Sequence, residues 1–141
     1  MGGEKAKAAA GGTVVFIISS DGVRFEVPEA AARQFTALAS RMNKDRDGDI
    51  CIKLEGVSTF TCSKVAAYVR KHDKGLAVSA ADLKIWDRDL LRGLTHDELL
   101  EVVMAATDLA LDSLVVAASE EVAEMVEGKT GEELRKAFDF M

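Results

Sequence analysis

The residue types that most often act as bases, nucleophiles or metal ligands are scarce in this sequence, which has two histidines and two cysteines. His72 lies at a predicted helix end and His96 in a helix-capping sequence, both polar contexts. Cys51 and Cys62 form no CxxC motif, which favours a reduced, intracellular pair of small hydrophobic residues. No nucleophile elbow or Gly-rich phosphate loop is present. We therefore expect surface or capping histidines, no enzyme activity and no cofactor.

The segment from Asn43 to Leu54 imitates the start of a calcium-binding EF-hand loop, with Gly48 at position six and Ile50 at position eight. At position twelve, where calcium needs a bidentate Glu, the residue is Leu54. The segment also runs into a β-branched stretch and not into a helix. Calcium binding through residues 43–54 is therefore a minor alternative, and we predict no metal site.

Composition limits the classes of partner. The 141 residues suit one domain, and 48% hydrophobic with 30% charged residues is typical of a globular protein with a core. A net charge of −6 argues against nucleic acid and against an anionic membrane surface. The most apolar stretch, Leu99 to Ala118, contains three acidic residues, so no membrane span is predicted. Residues 1–12 lack an apolar signal sequence and are expected to be a disordered leader.

The elements that must position any site begin with three predicted strands. Thr13–Ile18 and Val23–Val27 flank an Asp21-Gly22 turn, a pattern that predicts a β-hairpin. A third strand is predicted at Ile50–Leu54. Between them, helical spacing of apolar residues predicts one amphipathic helix over residues 28–42.

The rest of the chain is predicted to be helical. Ser58 is the expected N-cap of a helix that runs to His72. Residues 76–94 are expected to form a linker with a short helix near its end and Trp86 as its buried anchor. Thr95 and Glu98 form a capping box before a helix that is apolar almost all round, which we expect to be buried or sandwiched. Asp112 and a second capping box at Thr130 predict two further helices.

The last predicted helix and its tail are rich in apolar groups. Leu134, Ala137, Phe138, Phe140 and Met141 crowd onto a short segment that has limited surface to bury against. Exposed apolar patches of this kind often mark partner sites. On physical grounds, partner binding and simple packing of these residues are evenly balanced.

Taken in order, these segments resemble the Skp-type adaptor subunits of SCF ubiquitin ligases, which are BTB/POZ-fold proteins. The matching strings include Ile52-Lys53-Leu54-Glu55-Gly56-Val57-Ser58, Trp86-Asp87, and Val122 to Thr130 followed by Glu132 to Lys136. The resemblance implies an α+β, BTB/POZ-like fold with a three-stranded sheet, about six helices and a C-terminal helical extension. It implies a BTB/POZ-like domain at 13–110 and F-box-binding helices at 111–141.

The same resemblance implies a function and a set of site residues. Such adaptors link a cullin to F-box substrate receptors for ubiquitin-dependent degradation, in the cytoplasm and nucleus. By position, Thr107 and Asp108 are expected at the cullin face. Met125, Leu134, Ala137 and Phe138 are expected at the F-box face.

Three departures from the family pattern bear on these expectations. Thr107-Asp108 stands where the family usually has Asn-Tyr, which replaces an aromatic interface residue by a charge. Prolines usual in the family are replaced by Lys53, Glu55 and Gly131. The chain ends at Met141, where the family normally continues into another helix, so the extension is expected to be truncated. A BTB module of the elongin-C type and a divergent paralogue without cullin binding remain alternatives.

Overall fold

The computed structural model describes residues 13–127 of the chain. Its sheet begins with the predicted hairpin, in which β1 (Val14–Ile18) pairs antiparallel with β2 (Arg24–Pro28). Gly22 lies in the connecting turn with φ of 85°, a conformation that glycine adopts without steric cost. The hairpin prediction is therefore confirmed.

The sheet has four strands where the sequence predicted three. The order is β2-β1-β4-β3, with β4 (Ile50–Lys53) parallel to β1 and β3 (Asn43–Lys44) antiparallel to β4. The extra strand β3 exists because the acidic segment forms a tight turn. Asp45 accepts hydrogen bonds from the backbone N–H groups of Asp47 and Asp49. Gly48 adopts φ of 87° in this turn. The glycine that matched position six of an EF-hand loop therefore lies in the turn of a β-hairpin.

The predicted helix over residues 28–42 is two short helices, α1 (Glu29–Arg33) and α2 (Thr36–Ser40). Pro28 ends β2 and does not enter the helix. The break lies at Phe35, whose backbone is extended. Its ring packs against the Tyr68 ring, with 5.8 Å between centroids. The apolar residues have the same spacing in the sequence whether one helix or two short helices form. The spacing therefore did not predict the break.

Four longer helices complete the described chain. They are α3 (Thr59–Lys71), α4 (Ala80–Leu91), α5 (His96–Asp108) and α6 (Asp112–Glu127), with a 3₁₀ turn at Lys74–Leu76. Ser58 caps α3, and the Thr95–Glu98 capping box opens α5, both as predicted. The helix expected only near the end of the linker is a full twelve residues, because Ser79 caps α4 by accepting from the Asp82 N–H.

The core lies between one sheet face and the helices. Its strand contribution is Val15, Ile17, Val27 and Ile52, all fully buried. Helix α3 packs on β1 and β2 and also contacts α5, while α6 packs against α4 and α5. Trp86 is half-buried, with the Lys71 ammonium 5.9 Å from its ring centroid, so it is not the deeply buried anchor that was expected. No helix among residues 13–127 has the length and apolar character needed to cross a membrane.

Candidate partner-binding surfaces

The outward face of α5 forms one wall of an open groove of about 800 Å³. The other wall is the loop between β4 and α3. The groove is lined by Glu55, Gly56, Val57, Asp97, Leu100, Glu101, Val103, Met104, Ala105 and Asp108. Residues 97, 100, 101, 104 and 108 recur at helical spacing, so they share one face of α5.

Helix α5 was expected to be buried or sandwiched, but one of its faces is exposed. Leu99, Val102 and Ala106 face the core, whereas Met104 is 71% exposed. The helix therefore carries two apolar stripes, one for the core and one for the groove. The sequence indicates this surface, because the apolar residues of α5 lie on two different faces of the helix. Only one face can pack against the core of the domain, so the other is available to a partner.

Thr107 and Asp108, the predicted cullin-face residues, are both exposed at the C-terminal end of α5. Asp108 lines the groove, whereas Thr107 is not among its lining residues. The Asp108 carboxylate accepts a hydrogen bond from the Arg41 guanidinium at 3.0 Å. The charge at position 108 thus has a counterion from the segment that follows α2.

The predicted F-box face is described only in part. Met125 lies in the last turns of α6 and is half-buried against the core, next to Val122. Leu134, Ala137 and Phe138, together with the second capping box, lie outside the described residues.

Polar side chains around the buried Asp87 form a cluster beside a different cavity, of about 430 Å³, between α4 and α6. His72 donates from Nε2 to Asp87 Oδ1 at 2.7 Å, and Ser113 donates to Asp87 Oδ2 at 3.4 Å. Tyr68 OH lies 2.6 Å from Ser113 Oγ, and burial raises the pKa of Tyr68. His72 was expected at the surface but is largely buried, stacked on the Tyr68 ring at 4.0 Å.

This cluster has the residue types of a nucleophilic triad without its geometry. A serine nucleophile needs the imidazole within hydrogen-bond reach of its hydroxyl. Here Ser113 and His72 both donate to the same carboxylate. The cluster therefore ties α3, α4 and α6 together through Asp87, which suits a structural role.

The acidic turn brings three carboxylates together, since single oxygen atoms of Asp45, Asp47 and Asp49 lie within 4.8 Å of one another. Arg24 contributes the positive charge, at 3.3 Å from Asp45 and 3.8 Å from Asp49. Hydrogen bonds from the backbone N–H of Asp49 lower the pKa of Asp45. Leu54, at the position where an EF-hand needs its Glu, is 2% exposed and belongs to the core.

Comparison with known proteins addresses the resemblance directly. Residues 13–74 match the Skp1 family, tetramerisation domain. SKP1-like protein 11 of Arabidopsis thaliana is 35% identical over 128 residues, covering 89% of this chain and 83% of the relative. The chain belongs to the Skp1 family. SKP1-like protein 1A of Arabidopsis thaliana (33% over 135 residues) and SKP1-like protein 1 of Oryza sativa subsp. japonica (32% over 145 residues) each cover the same shares.

Skp1-family membership confirms the expected α+β, BTB/POZ-like fold. The likeness to the SKP1-like relatives also extends well beyond residues 13–74, because it covers 89% of the chain. It therefore includes helices outside the tetramerisation domain. The division of the chain at residue 110 into a BTB/POZ-like domain and F-box-binding helices stays a prediction.

Proposed function

We propose that this Skp1-family chain is a non-catalytic adaptor of an SCF-type ubiquitin ligase, which links a cullin scaffold to F-box substrate receptors. The observation that carries the proposal is the likeness to SKP1-like proteins over 89% of the chain. A likeness restricted to the BTB/POZ-like part would fit an elongin-C-type module equally well. The proposed role lies in ubiquitin-dependent protein degradation, in the cytoplasm and nucleus.

The cullin face is proposed to include Thr107, Asp108 and the adjoining groove on α5. Its support is the exposed apolar surface around Met104, since apolar patches rimmed by polar residues are characteristic of protein interfaces. Arg41 pairs with Asp108, so the charge that replaces the usual tyrosine is already compensated in the free protein.

The F-box face is proposed to include Met125, Leu134, Ala137 and Phe138. Met125 supports this assignment through its half-buried position near the end of α6, directly before the segment that contains the other three residues. If Leu134 and Phe138 are buried anchors, substitution of either by Ala weakens F-box binding by about 1–3 kcal/mol.

Titration of the purified chain against an F-box domain and, separately, a cullin N-terminal domain tests the proposal. We expect both to bind, Leu134→Ala and Phe138→Ala to weaken only the F-box titration, and Leu76→Ala to change neither. Leu76 is the matched control, because it is an exposed leucine outside both proposed faces. Failure of the F-box domain to bind would overturn the adaptor assignment.

A divergent family member that binds F-box proteins but not cullins is the second candidate, motivated by the charge at Asp108. The double substitution Thr107→Asn, Asp108→Tyr distinguishes the two. If the wild-type chain fails to bind a cullin domain and the double variant binds it, the divergent assignment is correct. If the wild-type chain binds, the full adaptor assignment stands.

A further inference from the structure

The cavity of about 430 Å³ between α4 and α6 is lined by no residue of the proposed cullin or F-box face. We propose that it receives a short amphipathic helix of a further protein partner, whose apolar row has an acidic residue on one flank and a basic residue on the other. Lys84 and Glu120 select these two flanking charges. The inference goes beyond the proposed function, because it adds a partner to the cullin and the F-box protein.

Each wall of the cavity is one face of a helix. Residues 80, 83, 84 and 87 of α4 and residues 113, 116, 117 and 120 of α6 line it, and each set has the spacing of a single helix face. Seven residues extend about 10 Å along a helix axis, which matches two turns of a partner helix.

The walls are apolar between their charged residues. Ala80 and Ala117 are small and leave space between the helices, whereas Leu83 and Val116 offer apolar contact surface. Val116 is 52% exposed in spite of its apolar side chain. An apolar row of a partner helix can lie on these residues, as in other helix-in-groove complexes.

Polar contacts between α4 and α6 hold the two walls in place. The Ser113 hydroxyl donates to Asp87 at 3.4 Å, and the Arg88 guanidinium donates to Glu124 at 2.8 Å. Both contacts join the same two helices. The cavity is therefore formed before a partner arrives, which lowers the cost of ordering the site on binding.

Lys84 and Glu120 place opposite charges on the two walls. Neither side chain has a hydrogen bond or ion pair with another residue among 13–127. Four residues further along the same two helices, Arg88 and Glu124 pair with each other directly. The charges of Lys84 and Glu120 are thus available to a partner, and a helix with one acidic and one basic flank complements both.

Three synthetic helical peptides with the same leucine row test the inference by fluorescence anisotropy on the full chain. The mixed peptide has glutamate on one flank and lysine on the other, and the remaining two have only lysine or only glutamate on both flanks. The wild-type chain is expected to bind the mixed peptide about threefold or more tightly than the other two, because each of these places like charges together at one wall. Val116→Asp is expected to weaken binding of the mixed peptide about tenfold or more, since it puts a charge on the apolar wall.

Reversal of one wall charge is expected to change which peptide is preferred. Lys84→Glu leaves carboxylates on both walls, so the lysine peptide is expected to bind most tightly. Glu120→Lys leaves cations on both walls, so the glutamate peptide is expected to bind most tightly. An F-box domain titrated in parallel verifies that each variant is folded.

Two controls match these variants. Lys74 is exposed in the 3₁₀ turn, so Lys74→Glu repeats the charge reversal outside the cavity. Val23 is 42% exposed between β1 and β2, so Val23→Asp repeats the change of an exposed valine to a carboxylate. Both controls are expected to bind the three peptides like the wild-type chain.

No binding of the mixed peptide, equal binding of the three peptides, or a preference that the charge reversals do not change would overturn the inference. Displacement of the mixed peptide by the F-box domain or a cullin N-terminal domain would also overturn it, because the cavity would then belong to one of those partners. Displacement by a synthetic peptide of residues 128–141 would instead assign the cavity to the chain's own C-terminal segment. A mass that doubles with concentration in the wild-type chain but not in Val116→Asp would assign it to a second copy.

Discussion

The carboxylate of Asp87 is almost completely buried and is shared by His72 and Ser113. Asp87→Ala removes the acceptor of the largely buried His72 imidazole, and an unsatisfied buried donor costs about 1–3 kcal/mol. We expect the free energy of unfolding, measured by urea denaturation, to fall by about 1–3 kcal/mol.

The matched control for this substitution is Asp89→Ala on the same helix, since Asp89 is exposed and bonded only to Arg92. Its effect on the free energy of unfolding is expected to stay within about 0.5 kcal/mol. Equal effects of the two substitutions would mean that the shared carboxylate does not hold the helices together.

The buried thiol of Cys62 makes the stability of the fold depend on pH in the alkaline range. Its side chain is fully buried, and burial raises the pKa of the thiol from 9.0 to about 11. The unfolded chain therefore loses the thiol proton from about pH 9, whereas the folded chain keeps it until about pH 11. The free energy of unfolding therefore falls as the pH rises through this window, by on the order of 2–3 kcal/mol in total. Below this window the thiol does not change it.

The measurement is the free energy of unfolding at several pH values for the wild-type chain and Cys62→Ala. Other groups titrate in the same window, so the prediction concerns the difference between the two curves. We expect the wild-type curve to fall more steeply above pH 9. Parallel curves would show that the buried thiol ionises equally easily in both states.

Thr107 and Asp108 were assigned to a partner face only by their position in the family resemblance, and the structure shows that both are exposed. The sequence did not predict the burial of His72. That burial depends on Asp87, which is fifteen positions away in the chain and is brought close only by the packing of α3 against α4. The sequence around an aspartate does not indicate whether its carboxylate is buried and shared or exposed to solvent.

Helix α5 begins with a complete capping box, in which Thr95 accepts from the Glu98 N–H and Glu98 accepts from the Thr95 N–H. Thr95→Ala leaves backbone N–H groups of the first turn without their partner and is expected to cost about 1 kcal/mol of unfolding free energy. Thr95→Ser retains the hydroxyl acceptor and is expected to restore most of that loss. Urea denaturation compares the three proteins, and a Ser variant as unstable as the Ala variant would refute a capping role.

Elements defined by local chemistry were predicted well. The β1–β2 hairpin follows from Asp21-Gly22, and the starts of α3 and α5 follow from Ser58 and Thr95. The extra strand β3 was missed, because Asn43 and Lys44 have no strand propensity and pair only through the Asp45 turn. The full length of α4 could have been found from Ser79 and Asp82, which have the spacing of an N-cap pair.

At the scale of the molecule, residues 13–127 present candidate partner faces on different elements. The groove lies on the outward side of α5, and Met125 lies near the end of α6. The residues assigned to the two faces do not overlap. An adaptor needs this separation, because it must hold both partners at once, and we therefore expect binding of one partner to leave the affinity for the other nearly unchanged.

The most direct test of the adaptor assignment is the mass of the complex formed when the chain is mixed with an F-box domain and a cullin N-terminal domain, measured by size-exclusion chromatography with light scattering. An adaptor gives one species that contains one copy of each protein, and no such species forms when this chain is omitted. Two separate binary complexes that never combine, or an F-box domain that displaces the cullin domain, would contradict the adaptor assignment.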